Sequence, residues 1–280
     1  MRPIIHIDGV DVEYAAEGGT RRVLNGINLE IHAGEFISIV GQTGCGKSTL
    51  LRLILGEQKP TRGRVLVNGC ERTQPDPVCG YVPQRYSLFS DKTVLDNVTF
   101  GPDVAEFGAF SFLHPSRRKR IREHRSEALR FLKQMGLDEA DARKYPHELS
   151  GGMQQRVAIA QALMMKPPIL LMDEAFSALD PGTRRGMQRL IKGLWRQTGT
   201  TVIFVTHNTR EAVWLGTRVI ALGGALPFER AVSHIDFDAD EEHVQFVIHD
   251  IENRTHSDIN VRSAVQELQK SDFAAAALQG

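Results

Sequence analysis

The stretch GQTGCGKST, from Gly41 to Thr49, leaves few options for the fold around it. It fits G-x-x-x-x-G-K-[ST] through Gly41, Gly46, Lys47 and Ser48. A strand-like run, EFISIV (Glu35 to Val40), feeds it, and an apolar helical run, STLLRLILG, leaves it. Strand, glycine loop and helix in that order are the context a phosphate-holding loop requires. Glycines let backbone N–H groups turn inward around phosphate oxygens, where a Cβ would obstruct them. The helix that starts near Lys47 aims its positive dipole end at the same oxygens. Lys47 is expected to reach the β- and γ-phosphates of a nucleoside triphosphate, and Ser48 to ligate Mg²⁺. Gln42, Thr43, Gly44, Cys45 and Thr49 complete the expected cradle. A helix N-terminus and Lys47 beside Cys45 predict a lowered thiol pKa and a reactive thiolate.

Downstream, ILLMDE (Ile169 to Glu174), TVIFVTH (Thr201 to His207) and TRVIAL (Thr217 to Leu222) read as buried parallel strands. Helical segments at 182–197 and 209–215 separate them. This alternation predicts an α/β fold with a parallel sheet around the phosphate loop. Upstream, residues 4–14 and 23–31, and RVLV at 64–67, suggest a small antiparallel sheet. VCGYV at 78–82 reads as a short buried strand. From Leu88 to Leu149 the chain loses strand character and becomes helical. ILLMDE places a carboxylate pair at the C-terminal end of an apolar strand, where open α/β sheets bind ligands. Asp173 is expected to hold Mg²⁺, directly or through water. Glu174, one residue on, is expected to polarise the attacking water as general base.

Lys plus Arg number 34 and Asp plus Glu number 34, a balance that removes any general basic argument for nucleic-acid binding. No apolar stretch approaches the ~20 residues that span a bilayer, and MRPIIHIDGV lacks a signal-peptide core, so export is not expected. Cys45, Cys70 and Cys79 have no paired metal spacing, which suits a reducing cytoplasm.

LSGGMQQR, from Leu149 to Arg156, then makes the pattern specific. Ser150 and the N–H groups of Gly151 and Gly152 open a helix and make a second anion-binding terminus. With the phosphate loop and ILLMDE in this order, the chain resembles the nucleotide-binding subunit of an ATP-binding cassette (ABC) transporter over about residues 4 to 223. Ser177-Ala178-Leu179-Asp180 resembles the family's D-loop, Gln84 in YVPQ the glutamine that contacts Mg²⁺ and water, and His207 the switch histidine that holds the γ-phosphate. Tyr14 sits where the family places an aromatic ring stacked on adenine.

The resemblance implies a P-loop core with a RecA-like parallel sheet, an antiparallel β subdomain and an α-helical subdomain. It implies ATP and Mg²⁺ as cofactors. Ser150, Gly151, Gly152 and Asp180 would meet ATP held by the second subunit of a dimer, most simply a homodimer. It further implies separate transmembrane permease subunits, a substrate-binding protein, and a location on the cytoplasmic face of the inner membrane. DEAFSALD with THNTREAV is similar to the nitrate, sulfonate and taurine importer group. An ATPase of an exporter or lipid-trafficking system, or a soluble non-transport ABC ATPase, are the other readings. The expected domains are 1–225, with a helical and signature subdomain at 88–165, and a C-terminal extension at 226–280. One departure stands out: Ala175 occupies the place after the acidic pair where the family usually has proline.

FGAFSFL (Phe107 to Leu113) reads as core or as part of the permease contact. The basic run RRKRIREHR (Arg117 to Arg125) reads first as a solvated helix face, with anionic lipid or the partner as its other readings. In the extension lie an acidic patch (Asp236 to Glu242), a strand-like VQFVI and an amphipathic stretch at 261–268. The spacing of His234, His243, His249 and His256 fits no common metal pattern.

Overall fold

A computed structural model of the chain describes residues 2–16, 19–85, 88–107, 117–222 and 228–231. It forms two compact units. The first takes its described residues from 2–32, 36–74 and 205–231, and the second from 33–35 and 75–204.

In the first unit, β1 (Ile5–Ala16) pairs antiparallel with β2 (Gly19–Ile31) and β4 (Arg62–Val67), and β5 (Cys70–Glu71) closes the edge in the order β2-β1-β4-β5. Ile5 sits opposite both Ile31 and Val67. Alternation puts Ile5, Ile7, Leu29, Ile31, Val65 and Val67 in the core and leaves His6, Glu30 and Leu66 between them less buried, the pattern of a one-sided antiparallel sheet. A register shift between Ile7 and Val10 falls at Gly9, whose φ of 55° marks a bulge that the sequence pattern alone does not reveal.

The same unit holds β3 (Phe36–Gly41), parallel to β9 (Arg218–Leu222), with Ile37 opposite Arg218 and Gly41 opposite Leu222. β3 is buried from Phe36 to Val40, as a strand with both faces covered should be. Helix α1 (Lys47–Leu55) follows the phosphate loop and buries Leu50, Leu51, Leu53 and Ile54; Gly56, at φ 82°, ends it. Strand β10 (Phe228–Ala231), which falls within the segment read as extension, pairs antiparallel with β9. The acidic patch, VQFVI, the four histidines and the amphipathic stretch lie outside the described residues, as does all of FGAFSFL except Phe107.

In the second unit, β6 (Cys79–Val82) runs parallel to β7 (Ile169–Asp173). Strand β8 (Thr201–Thr206) contributes Thr201–Phe204 to this unit and Val205–Thr206 to the first. Helices α2 (Val94–Phe107), α3 (Arg117–Gln134), α4 (Glu139–Ala142) and α5 (Gly151–Met164) realise the predicted helical region, with a 3-10 turn at Pro146–Glu148. The amphipathic helix α6 (Pro181–Thr198) buries Met187 and Ile191. Its Trp195 Nε1 donates to the Gly34 carbonyl at 2.8 Å, which fixes the turn into β3. Helix α7 (Thr209–Leu215) belongs to the first unit. Among the described residues no helix is long and apolar enough to cross a membrane.

Candidate nucleotide site

In the first unit the phosphate loop joins β3 to α1. Gly44 and Gly46 take φ of 83° and 104°, left-handed values that a side chain would strain. A Cβ on Gly41 would collide with the Leu222 carbonyl. Lys47 is only 6% exposed, yet its Nζ donates to main-chain carbonyls, Gly41 O at 2.7 Å and Gln42 O at 2.9 Å. Among the described residues it has no carboxylate partner. A buried ammonium satisfied only by neutral acceptors still favours an anion, so the loop fits a phosphate group. Ser48 sits half-buried in the first turn of α1, its hydroxyl a hard oxygen donor of the kind Mg²⁺ takes.

Cys45 departs from expectation. Its thiol pKa is raised, not lowered: burial outweighs the pull of the Lys47 charge and of backbone N–H donors. The loop that shields the phosphate position also desolvates the sulfur.

Tyr14, on β1 opposite Arg21 of β2, is 40% exposed and donates its hydroxyl to Gln58 Oε1 at 2.8 Å. His207 follows β8 and is exposed. Its neighbours fix it: Thr206 Oγ1 donates to Glu211 Oε2 at 2.9 Å, Asn208 N donates to Thr206 Oγ1 at 3.0 Å, and Asn208 caps α7 by accepting from Glu211 N. The sequence reading passed over Thr206 and Glu211; the N-cap pattern of Asn208 with Glu211 three residues on was the available signal.

In the second unit Asp173 ends β7, 4% exposed. Glu174 follows with φ 47°, a left-handed value uncommon for a residue with a side chain. A proline at 175 would push the residue before it towards extended geometry; the fully buried Ala175 imposes no such restriction. Gln84 Nε2 donates to Glu174 Oε2 at 2.9 Å, so two predicted site residues ninety positions apart meet.

The loop after Glu174 is held by Arg184, whose guanidinium donates to the carbonyls of Phe176 at 3.2 Å and Leu179 at 3.0 Å. Sequence reasoning missed this role, since an arginine in the first turns of an exposed helix carries no signal of its own. Asp180 caps α6, accepting from Gly182 N and Thr183 N at 3.1 Å each; Thr183 is the main cause holding its carboxyl below the usual range.

Ser150 is the exposed N-cap of α5, its Oγ accepting from Met153 N at 3.3 Å. Gly152 approaches the loop before α6 closely: a Cβ there would lie 3.4 Å from Leu179 Cδ2. Arg156 ties this helix to the end of α3 through Met135 O at 2.9 Å and Gly136 O at 3.1 Å.

A glycine-rich phosphate loop between strand and helix, in an α/β chain that also has an antiparallel sheet, defines a P-loop nucleoside triphosphatase. Comparison with known proteins narrows the class. The family profile described as ABC transporter matches residues 24–177. An aliphatic sulfonates import ATP-binding protein of Bacillus cereus is 35% identical over 78% of this chain and 80% of its own length. A taurine import ATP-binding protein of Rhizobium johnstonii is 40% identical over 78% of this chain and 79% of its own. A nitrate import ATP-binding protein of Synechocystis is 42% identical over 79% of this chain, which spans 32% of that longer protein. The solved dimer of an ATP-binding cassette in a post-hydrolysis state, bound to ADP and Pi, matches with a TM-score of 0.70 at 34% identity, over 82% of this chain and 100% of that one. The chain belongs to the ABC transporter family. It is an ATP-binding subunit that hydrolyses ATP, with Mg²⁺ as the accompanying ion, to energise a membrane transporter.

Proposed function

We propose that this subunit drives uptake of a small anion of the nitrate, sulfonate or taurine type, docked to separate permease subunits at the cytoplasmic face of the membrane and supplied by a substrate-binding protein. The observation that carries the reading is the agreement of the relatives above, at 35% to 42% identity, on import of such solutes.

The residues are assigned roles within that activity. Lys47 and the loop N–H groups bind the β- and γ-phosphates, and Tyr14 stacks on the base. Ser48, Gln84 and Asp173 would hold Mg²⁺, which supplies charge neutralisation at the phosphates when bound. Glu174 takes the proton from water as general base, and the Gln84 amide orients its carboxylate. His207 holds the γ-phosphate position. Ser150, Gly151, Gly152 and Asp180 are assigned to the nucleotide of a second copy, so that closure of a head-to-tail homodimer excludes water from both sites.

The test is reconstitution of the chain with its permease and binding protein in proteoliposomes, measuring ATP-dependent uptake of radiolabelled taurine, an alkanesulfonate and nitrate. Saturable uptake of one of them that requires binding protein and ATP is expected. Outward transport, or ATPase activity stimulated by none of these solutes, would overturn the importer assignment.

A further inference from the structure

Helix α3 uses its charges in two different ways. On one side Arg125 pairs with Asp96 at 2.6 Å, His124 bridges Asp103 and Glu106, and Arg120 also meets Glu106. These contacts clasp α3 to α2. Among the described residues the other side makes no such contacts. At about 100° per residue, Arg118, Arg122, Lys133, Ser126, Lys119 and Arg130 fall, in angular order, within a sector of about 120°. All six are exposed, and the half-buried Leu129 lies among them. The sector contains five cations and no carboxylate. Among the described residues Arg118, Arg122, Arg130 and Lys133 have no acidic partner, and Lys119 reaches Glu123 only at 3.9 Å. The helix's own acids lie beyond the sector edge, and Glu127 is spent on Lys166 at 2.6 Å.

The stripe is a crest with clefts beside it. Two clefts, of 460 and 640 Å³, open along it and share Ser126 and Arg130. The smaller carries Lys119 and Arg122 together with Glu123 and Glu127; the larger carries Lys133 and Leu129 together with Asp138, Glu139 and Asp141. From Arg118 to Lys133 the helix rises about 22 Å. Unpaired like charges held side by side cost self-repulsion that a structural role alone would not need, and the α2 side of the same helix shows that acids could have been placed opposite them.

We infer that this face of α3 binds the surface of an anionic phospholipid bilayer, with phosphate headgroups meeting the crest of cationic side chains rather than the acid-lined clefts beside it. The inference rests on the membrane-peripheral reading above. Charge complementarity favours a bilayer over a nucleic acid. The far wall of the larger cleft bears Asp138, Glu139 and Asp141, of which Asp141 is neutralised by Lys144. A polynucleotide following that cleft would run against these acids, whereas a flat headgroup layer meets the cationic crest of the helix first. The chain carries no general excess of positive charge that would draw nucleic acid elsewhere. Each Lys or Arg held near an anionic leaflet adds to the attraction, and the effect fades within a Debye length.

The test is co-sedimentation of the full chain with vesicles of phosphatidylglycerol mixed with phosphatidylcholine, and with phosphatidylcholine alone, at low and raised salt. Wild type is expected to bind only the anionic vesicles, and to leave them as salt rises. Arg122→Glu with Arg130→Glu should weaken that binding by about tenfold or more. The same charge change at exposed positions off the stripe, Lys59→Glu with Arg62→Glu, should leave it unchanged. ATP affinity measured by fluorescence should stay the same in both. Arg122→Gln with Arg130→Gln keeps the test readable if the reversed pair fails to fold. Three results would overturn the inference: no binding to anionic vesicles at low salt, equal loss in the control pair, or a single-stranded polynucleotide that binds the stripe in preference to the vesicles. Vesicle binding is read without ATP or transported solute, so its failure leaves the ATPase and importer assignments standing and is distinguishable from theirs.

Discussion

The phosphate loop and the segment from Asp173 to Asp180 both follow a buried parallel strand, yet each keeps its shape by a different means. The phosphate loop uses the absence of side chains. Gly44 and Gly46 enter left-handed conformations at little steric cost, and Gly41 lies where the Leu222 carbonyl leaves no room for a Cβ. The Asp173 segment does the reverse: Glu174 takes φ 47° with its side chain in place, and its surroundings hold it there. Gln84 binds the carboxylate, Arg184 binds the carbonyls of Phe176 and Leu179, and Phe176 packs against Phe204 with ring centroids 5.2 Å apart. A site that must admit phosphate needs bare backbone. A site that must aim one carboxylate accepts strain, on the order of 1–2 kcal/mol for a left-handed residue, so that the side chain points in one direction.

The comparison is broken most sharply at Glu174. We predict that Glu174→Gln keeps ATP binding and the folded state but slows hydrolysis by about 10²–10⁴-fold, the usual cost of losing a positioned base. Steady-state phosphate release beside nucleotide titration checks it; hydrolysis near the wild-type rate would remove Glu174 from that role. Glu174→Gly should be equally inactive without a loss of thermal stability, since relief of backbone strain offsets the added freedom of the unfolded chain. A marked drop in Tm would show that the conformation is unstrained.

Gly46→Ala probes the other half. A Cβ there would lie 2.6 Å from Leu24 Cδ2 and 3.1 Å from Val23 Cγ1, at a φ of 104°. We predict a Tm lower by several degrees and ATP affinity reduced about tenfold or more, from about 1–3 kcal/mol of overpacking and the lost cradle. Differential scanning calorimetry and nucleotide titration measure the two effects, and wild-type values in both would contradict the bare-backbone account. Next in size, Arg184→Gln should lower stability by about 1–2 kcal/mol and slow hydrolysis severalfold while ATP affinity holds. Reduced affinity with unchanged turnover would place Arg184 outside the support of this loop.

How much of this was legible in the sequence follows from the same contrast. Glycines at fixed offsets and an apolar run before an acidic pair are local patterns, so the phosphate loop, β7 and the opening of α5 could be read residue by residue. The support of Glu174 is not local. Gln84 meets it from the segment after β6, and Arg184 reaches back from α6, so no periodicity announces either contact. Short apolar strands gave the element types because burial on both faces writes itself as an unbroken run. The bulge at Gly9 and the pairing of Phe228–Ala231 with β9 depend on partners far along the chain. Cys45 shows a different failure: the neighbours that lower a thiol pKa are visible in sequence, but the desolvation that raises it depends on how deeply the loop folds over the sulfur.

That reversal gives the finest test of the phosphate loop as a shielded, bare-backbone cradle. Burial is the largest cause at Cys45, with the Lys47 charge opposing it. The thiolate fraction near neutral pH is therefore smaller than for a free cysteine, and a maleimide should modify Cys45 more slowly than the exposed Cys70. The sign of the linked stability follows. With the folded pKa above the unfolded one, the native state holds its proton more tightly. This contribution is fully present below the unfolded thiol pKa, about 8.5, and is lost as pH rises through the folded value. Wild type should therefore lose more stability than Cys45→Ser between neutral pH and pH of about 10. Mass-mapped labelling together with denaturant titrations across that range measures both. If Cys45 labels faster than Cys70 at neutral pH, or if the two proteins lose stability in parallel, Lys47 rather than burial governs the thiol and the loop is more open to water than its geometry implies.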